Sequence, residues 1–269
     1  MALAYQTALT IESVIKDIDS KKYLLPSIQR EFVWSTGQIE KLFDSLMRDY
    51  PINAFLFWKV PREKVSEFKF YEFLRDYHQK DNKHNPKANT NGTEDIIAIL
   101  DGQQRMTSLY IALKGTYAYK MSYKRWDNPA AYPKRKLYLN LLAASDDADM
   151  FYDFLFLTEE EAKNIKNDND EYEGAFWFPV GKILDFREES DVNDYLIDND
   201  LNTVADKAQA KFANKALFKL YSVIHNKQTI SYYLEESTEL DKVLNIFIRV
   251  NSGGTTLSYS DLLLSFATA

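Results

Sequence analysis

The sequence predicts an α+β domain: a small mixed sheet wrapped by helices, with a mostly helical insertion. Three observations predict it. Four short segments, near Lys22, Ala54, Ile96 and Thr229, are extended or apolar and β-leaning, with turn residues around them. Between these segments apolar residues recur at helical spacing. The composition, 45% hydrophobic and 27% charged over 269 residues with 17 Phe and 18 Tyr, supplies material for one sizeable core. The absence of cysteine excludes disulfides, thiol catalysis and thiolate zinc sites, and three scattered histidines (His78, His84, His225) do not make a metal cage. No apolar run approaches the roughly 18 residues of a membrane helix, and the start Met1-Ala-Leu-Ala-Tyr-Gln lacks a basic stretch before an apolar one. A cytoplasmic chain without membrane contact is expected.

Taken in order, Ile11, Val14, Ile15 and Ile18 mark a short amphipathic helix before an extended segment from Lys22 to Gln29. A second helix opens with the capping-box pattern Ser35-Thr-Gly-Gln38 and buries Ile39, Leu42, Phe43, Leu46 and Met47; it must stop by Tyr50, before Pro51. Ala54 to Val60 and Ile96 to Leu100 read as buried strands, the latter running at once into a helix. Gln79 to Glu94 collects turn formers with almost nothing to bury and reads as a mobile loop, while the polar stretch Lys163 to Glu173 is expected to join two helices. Thr229 to Leu234 is a further strand, and Leu240, Val243, Leu244 and Phe247 give a helix ended by Asn251-Ser-Gly-Gly254. A last helix, Leu262 to Phe266, has barely one turn before the sequence stops, so the sequence is expected to be cut out of something longer, by design or as a natural domain.

Charge is segregated. The net charge is -7, but Asp146 to Asp206 holds 19 acidic against 4 basic residues, so the remainder carries +8. Lys114 to Lys136 has seven cations against Asp127 alone, interleaved with Tyr117, Tyr119, Tyr123, Trp126 and Tyr132. Cations that meet phosphates beside rings that stack on bases suit nucleic acid, with Lys124, Arg125, Lys134, Arg135 and Lys136 as the candidate DNA-binding residues. A solvated hairpin explains the same charges.

Three motifs carry chemistry. In Asp101-Gly102-Gln103-Gln104-Arg105, a strand passes through a tight glycine turn into a helix N-terminus, whose free N–H groups and positive dipole end suit an anion. Arg105 in the first helical turn opposes that dipole unless an anion sits beside it. An exposed arginine contributing little packing is expected there. Asp101 could cap the helix or ligate Mg²⁺, and Gln103 and Gln104 could orient a water or read a base edge. Gln29-Arg30, at the end of an extended segment, could add a second cation to the same anion. Arg249-Val-Asn251-Ser252-Gly253-Gly254 could form a concave nest of N–H groups, although a glycine helix stop has the same pattern. The Walker A and Gly-x-Gly-x-x-Gly patterns are absent.

Together Pro26-Ser-Ile-Gln-Arg-Glu-Phe-Val-Trp34, Leu100-Asp-Gly-Gln-Gln-Arg-Met-Thr-Ser108 and Phe247-Ile-Arg-Val-Asn-Ser-Gly-Gly254 with Leu257-Ser-Tyr-Ser-Asp-Leu-Leu263 resemble the N-terminal domain family of GmrSD-type restriction proteins. The resemblance spans nearly the whole chain. It implies one ParB/sulfiredoxin-like domain over residues 1–269 with an acidic helical insertion at about 140–225, and a shared Gly-x-x-Arg site for nucleotide phosphates that Gly102-Gln-Gln-Arg105 fits. The missing cysteine excludes sulfiredoxin chemistry. It further implies nucleoside-triphosphate hydrolysis tied to the Asp-Gly-Gln-Gln-Arg motif, in a modification-dependent restriction or antiphage system, regulating an HNH-type nuclease domain that follows or is separate.

On that reading Arg30, Arg105 and Arg249 neutralise phosphates, and Gly102, Gly253 and Gly254 let backbone approach. Gln29, Asn251 and Ser252 complete the nucleotide site. Asp101 holds Mg²⁺ or another divalent cation, or a water, and Gln103 or Gln104 positions the attacking water. Arg30, Arg105 and the Asn251 to Gly254 loop are expected to share one pocket. The implied partners are a nucleoside triphosphate, modified or phage DNA, and the nuclease domain. The rival classes are a DNA-binding or directly nucleolytic domain and a module that senses nucleotide without turnover.

Overall fold

The computed structural model describes residues 4–27, 31–90, 96–167, 175–204 and 206–251. The chain begins β1 (Ala4–Tyr5), α1 (Ile11–Asp19), β2 (Tyr23–Pro26), α2 (Thr36–Met47), β3 (Phe55–Val60), β4 (Phe70–Tyr71), β5 (Asp76–His78), β6 (Ile96–Asp101) and α3 (Gln103–Lys114). It continues with β7 (Thr116–Ala118), β8 (Lys134–Ala144), β9 (Tyr152–Leu157), α4 (Glu159–Asn167), β10 (Trp177–Pro179), α5 (Glu189–Asp198), α6 (Lys207–Tyr221), β11 (Tyr232–Glu235) and α7 (Leu240–Asn251). This is the α+β architecture the patterning predicts.

The first sheet runs β1-β11-β3-β6-β2-β4, so the four expected strand segments are its four central neighbours. It is mixed: β11 pairs β3 and β2 pairs β6 in parallel, while β3 and β6 are antiparallel. Period-two alternation divides its side chains between two faces. Tyr23, Leu25, Phe55, Phe57 and Ile99 join the core with helices α1 to α3. Leu24, Leu56, Trp58, Ile96, Ala98 and Leu100 pack on Val243, Leu244 and Phe247 of α7. Both faces of the centre are thus covered, which is why these strands read as unbroken apolar runs. Locally, Ser35 and Gln38 form the reciprocal capping box at the start of α2.

The second sheet runs β10-β8-β7-β5, with β9 also on β8. In the region 140–225 helices α4, α5 and α6 supply most of the regular structure, but the end of β8, β9 and β10 also fall within it, with α4 between β9 and β10. Leu137, Leu139, Leu141, Phe154, Phe156 and Phe178 belong to the same core cluster as α1 to α3, so the insertion is packed into the main core.

A seal between the two layers lies along β9. Glu40 Oε1 accepts from Phe156 N at 3.0 Å, and Asp44 Oδ1 accepts from Phe151 N and Tyr152 N, both at 2.9 Å. Two carboxylates of α2 thereby occupy strand donors that would otherwise be left unpaired. Burial pushes the Glu40 carboxyl up to about 7, and nearby Asp153 adds to the shift against the opposing Phe156 hydrogen bond.

Gln79 to Glu94, expected as a mobile loop with almost nothing to bury, is a loop over residues 79–90 but one anchored to the fold. Asn85 is buried and accepts from Leu74 N at 2.9 Å, Glu72 N donates to Pro86 O, and Ala88 N donates to Phe70 O. The polar sequence is fastened through backbone and one asparagine, an arrangement hydrophobic patterning does not reveal. The expected last helix, Leu262 to Phe266, and most of the joint after Lys163 lie outside the described residues.

Candidate functional site

The site is built where β6 ends. Asp101 closes the strand, Gly102 turns the chain at φ +89°, and α3 begins at Gln103. Glycine is required there twice over: the positive φ disfavours any side chain, and a Cβ would lie 2.2 Å from Cδ1 of Phe55. No side chain of a described residue caps α3, so the amides of its first turn are left to whatever approaches the turn.

Three side chains of the motif tie this turn to distant backbone. Gln103 folds back, its Nε2 donating to Ile99 O at 2.9 Å, while its Oε1 accepts nothing from the described residues. Gln104 clamps the second motif: Nε2 donates to Glu31 O at 2.9 Å, and Oε1 accepts from Val33 N at 3.0 Å. Arg105 reaches the turn between α2 and β3. It donates to Ile52 O, to Asn53 O at 3.0 Å and to Ala54 O at 3.2 Å, and its guanidinium lies 4.5 Å from the Phe55 ring centre. Its Nη2 also sits 3.4 Å from Asp101 Oδ2.

The expectation of an exposed, weakly packed Arg105 is therefore corrected, because its side chain is only 16% exposed. Desolvation lowers the Arg105 pKa from its ordinary value and the Asp101 carboxylate opposes that shift; a guanidinium still remains charged at neutral pH. Here the cation that opposes the helix dipole is satisfied by three carbonyl oxygens and a carboxylate. Sequence reading missed the Ile52 to Ala54 turn as part of the site. Its one signal is Asn53 after Tyr50-Pro51, and Asn53 takes a left-handed φ of 65°.

Gln29 and Arg30 lie outside the described residues, but Glu31, the next residue, is held against α3 by Gln104. The first and second motifs are thus brought together. Phe32 beside them is a core residue, edge-on to Tyr77. In the third motif Arg249 is exposed on α7, Asn251 is the last described residue, and Ser252, Gly253 and Gly254 lie outside the described residues. Among the described residues, no group of three or more His, Cys, Asp or Glu is placed to hold a metal ion. Asp101 is a single carboxylate engaged with a guanidinium.

The basic stretch is a hairpin in which β7 pairs β8 antiparallel. Strand alternation splits its candidate DNA-binding residues. Lys124 and Arg125 in the connection, and Lys134 and Lys136 on β8, are exposed, whereas Arg135 is 4% exposed and lies 4.0 Å from the Tyr119 ring centre. Arg135 also donates to Tyr119 O and Pro133 O. In the same connection Tyr123 is fully exposed and Trp126 is half exposed. The connection is stapled: Lys120 Nζ donates to Met121 O and Lys124 O, and Tyr132 Oη donates to Trp126 O.

An α+β domain whose strand-to-helix glycine turn gathers two distant loops defines the chain's class. Over residues 11–268 it matches the N-terminal domain of GmrSD restriction endonuclease, and it belongs to that family. An uncharacterized protein of Methanocaldococcus jannaschii is similar, 26% identical over 98% of this chain and 42% of its own length. The chain thus spans about two-fifths of that relative. Among the described residues no helix is long and apolar enough to cross a membrane.

Proposed function

We propose that the chain is a nucleoside-triphosphate-binding and hydrolysing module of a modification-dependent restriction or antiphage system, with a ParB/sulfiredoxin-like site at the Asp101 to Arg105 turn. One observation carries the reading. The uncapped first turn of α3 is held beside the segment that follows Gln29-Arg30, so amide donors and a second cation can meet one polyphosphate. Arg105 then acts on the phosphates from a fixed position, with its guanidinium braced by the Ile52 to Ala54 carbonyls. Gln104 is committed at both ends of its carboxamide and positions the loop. Gln103, whose Oε1 is unused by the described residues, is the better of the two to orient a water.

Asp101 fits as one carboxylate ligand of a Mg²⁺ whose other ligands would be phosphate oxygens and waters, and that ion would supply neutralisation of phosphate charge. Arg249 and the Asn251 to Gly254 segment would add further hydrogen bonds and charge toward the phosphates. The nuclease that this module regulates would be an HNH-type domain elsewhere in the protein or a separate chain.

The stapled hairpin favours DNA as a partner of the same module. Its exposed Tyr123 and Trp126 beside Lys124 and Arg125 combine stacking surface with phosphate-seeking charge. The test is phosphate release from each nucleoside triphosphate with and without DNA, in the unaltered chain and in Asp101→Ala and Gln103→Ala. Turnover lost in both variants, with nucleotide still bound by Gln103→Ala, supports the assignment. Binding without turnover in the unaltered chain would make it a sensor, and DNA cleavage abolished by Asp101→Ala would make it a nuclease.

A further inference from the structure

A cavity of about 560 Å³ opens on the second sheet, and none of the residues lining it belongs to the three motifs. Strand β8 supplies one wall and its rim. Lys134, Lys136 and Tyr138 alternate onto the cavity side, while Arg135 between them turns inward over Tyr119. Phe176 and Trp177 enter from β10 and its approach, and Tyr195 from α5.

The charges at the rim are unequal in their commitments. Lys163 is paired with Glu159, whereas Lys134 and Lys136 form no hydrogen bond and no ion pair with a described residue, Lys136 acting on Glu159 only at longer range. Trp177 is 6% exposed, and its Nε1–H is buried with no acceptor among the described residues. Buried donors are almost always paired, so an indole N–H with no described acceptor is a donor a ligand can use. Burial holds the Tyr195 phenol up at about 12, which keeps it a neutral, flat wall at physiological pH.

An aromatic cavity with two uncommitted ammonium groups at its mouth selects a ligand that is flat at one end and anionic at the other. We propose that this cavity binds a nucleotide, with its base between the aromatic walls and its phosphate on Lys134 and Lys136. The volume lies within the range of about 300–1,000 Å³ usual for small-molecule sites. Bases offer π-faces to stack and ring acceptors for an indole N–H, and an ammonium suits phosphate as a point charge. A neutral apolar ligand would leave both lysines without an ion partner. The nucleotide is either free or one unit of a DNA strand.

Equilibrium dialysis of the full chain against deoxynucleoside monophosphates, the matching nucleosides and a short single-stranded oligonucleotide tests this. It is run without triphosphate or divalent metal, so turnover at the Asp101 turn has no bearing on the result. Monophosphates should bind more tightly than nucleosides. Lys134→Ala with Lys136→Ala, two exposed positions that leave the fold intact, should weaken the monophosphates by about tenfold and bring them level with nucleosides. Trp177→Phe, which keeps the wall and removes the N–H, should weaken nucleosides and nucleotides alike. Lysine-dependent binding of monophosphates assigns a free nucleotide; lysine-dependent binding of the oligonucleotide alone assigns a DNA unit. Absence of binding by all three probes, or binding unchanged in both variants, overturns the proposal.

Discussion

Replacing Arg105 by alanine should destabilise the fold as well as silence the site, and the size of the loss follows from the groups it touches. The guanidinium donates to the carbonyls of Ile52, Asn53 and Ala54, and two of those three bonds are partly buried. At about 1–1.5 kcal/mol for each partly buried bond, and about 0.5–1 kcal/mol for the stacking on Phe55, the expected loss is about 3 kcal/mol. For a chain of this size that lowers Tm by about 6–12 °C. Arg105→Lys keeps the charge but has no planar fork, so it should lose about half as much stability. Urea unfolding followed by circular dichroism, paired with nucleotide binding on the same samples, gives both readouts. An Arg105→Ala chain within about 0.5 kcal/mol of the unaltered protein would refute the bracing role, because surface substitutions have effects of that size.

Three further outcomes are expected. Gly102→Ala should cost more than about 2 kcal/mol, since it combines a left-handed φ with a Cβ 2.2 Å from Phe55 Cδ1, and thermal melts should show it. Glu40 holds its proton up to about 7 when folded and releases it nearer 4.5 when unfolded, so the folded state binds the extra proton in that window and stability must fall as pH rises through it. Glu40→Gln, which keeps the acceptor for Phe156 N, should gain up to about 3 kcal/mol over the unaltered chain between pH 5 and pH 8, and a constant difference in urea unfolding across that range would refute the reasoning. Lys124→Glu with Arg125→Glu should weaken DNA binding and flatten its dependence on log salt by about one for each phosphate no longer neutralised, read by filter binding across a salt series. An unchanged slope would remove the hairpin tip from the DNA surface.

How much of this was legible in the sequence depends on whether each interaction is local. The Ser35 to Gln38 capping box spans four residues and forms as read. The central strands were legible because burial on both faces makes them continuous apolar runs, and the Gly102 turn because strand, glycine and helix are contiguous. The partners of Gln104 and Arg105 were not. They are backbone atoms of Glu31, Val33 and the Ile52 to Ala54 turn, 51 to 73 residues away, and a carbonyl oxygen has no sequence signature. The Lys134-Arg135-Lys136 run shows the same limit. Three adjacent cations look alike as letters, yet the strand sends the middle one inward, where a planar guanidinium stacks on Tyr119 and bonds to two carbonyls.

Composition and short periods along the chain are enough to read the α+β class, the central strands with the helices around them, the segregation of charge and the residues of the three motifs. What those motifs do for one another is set by contacts across the fold. Arg105 is a brace as well as a cation, Gln104 is a clamp that brings the second motif to the first, and Asp101 faces a guanidinium. Sequence also could not show that β8 to β10 border an aromatic cavity with two lysines at its mouth that no described carboxylate pairs. The reason is the same throughout: burial and hydrogen-bond partners are properties of atoms brought together across the fold, and spacing along the chain encodes only the neighbours within a turn or a strand.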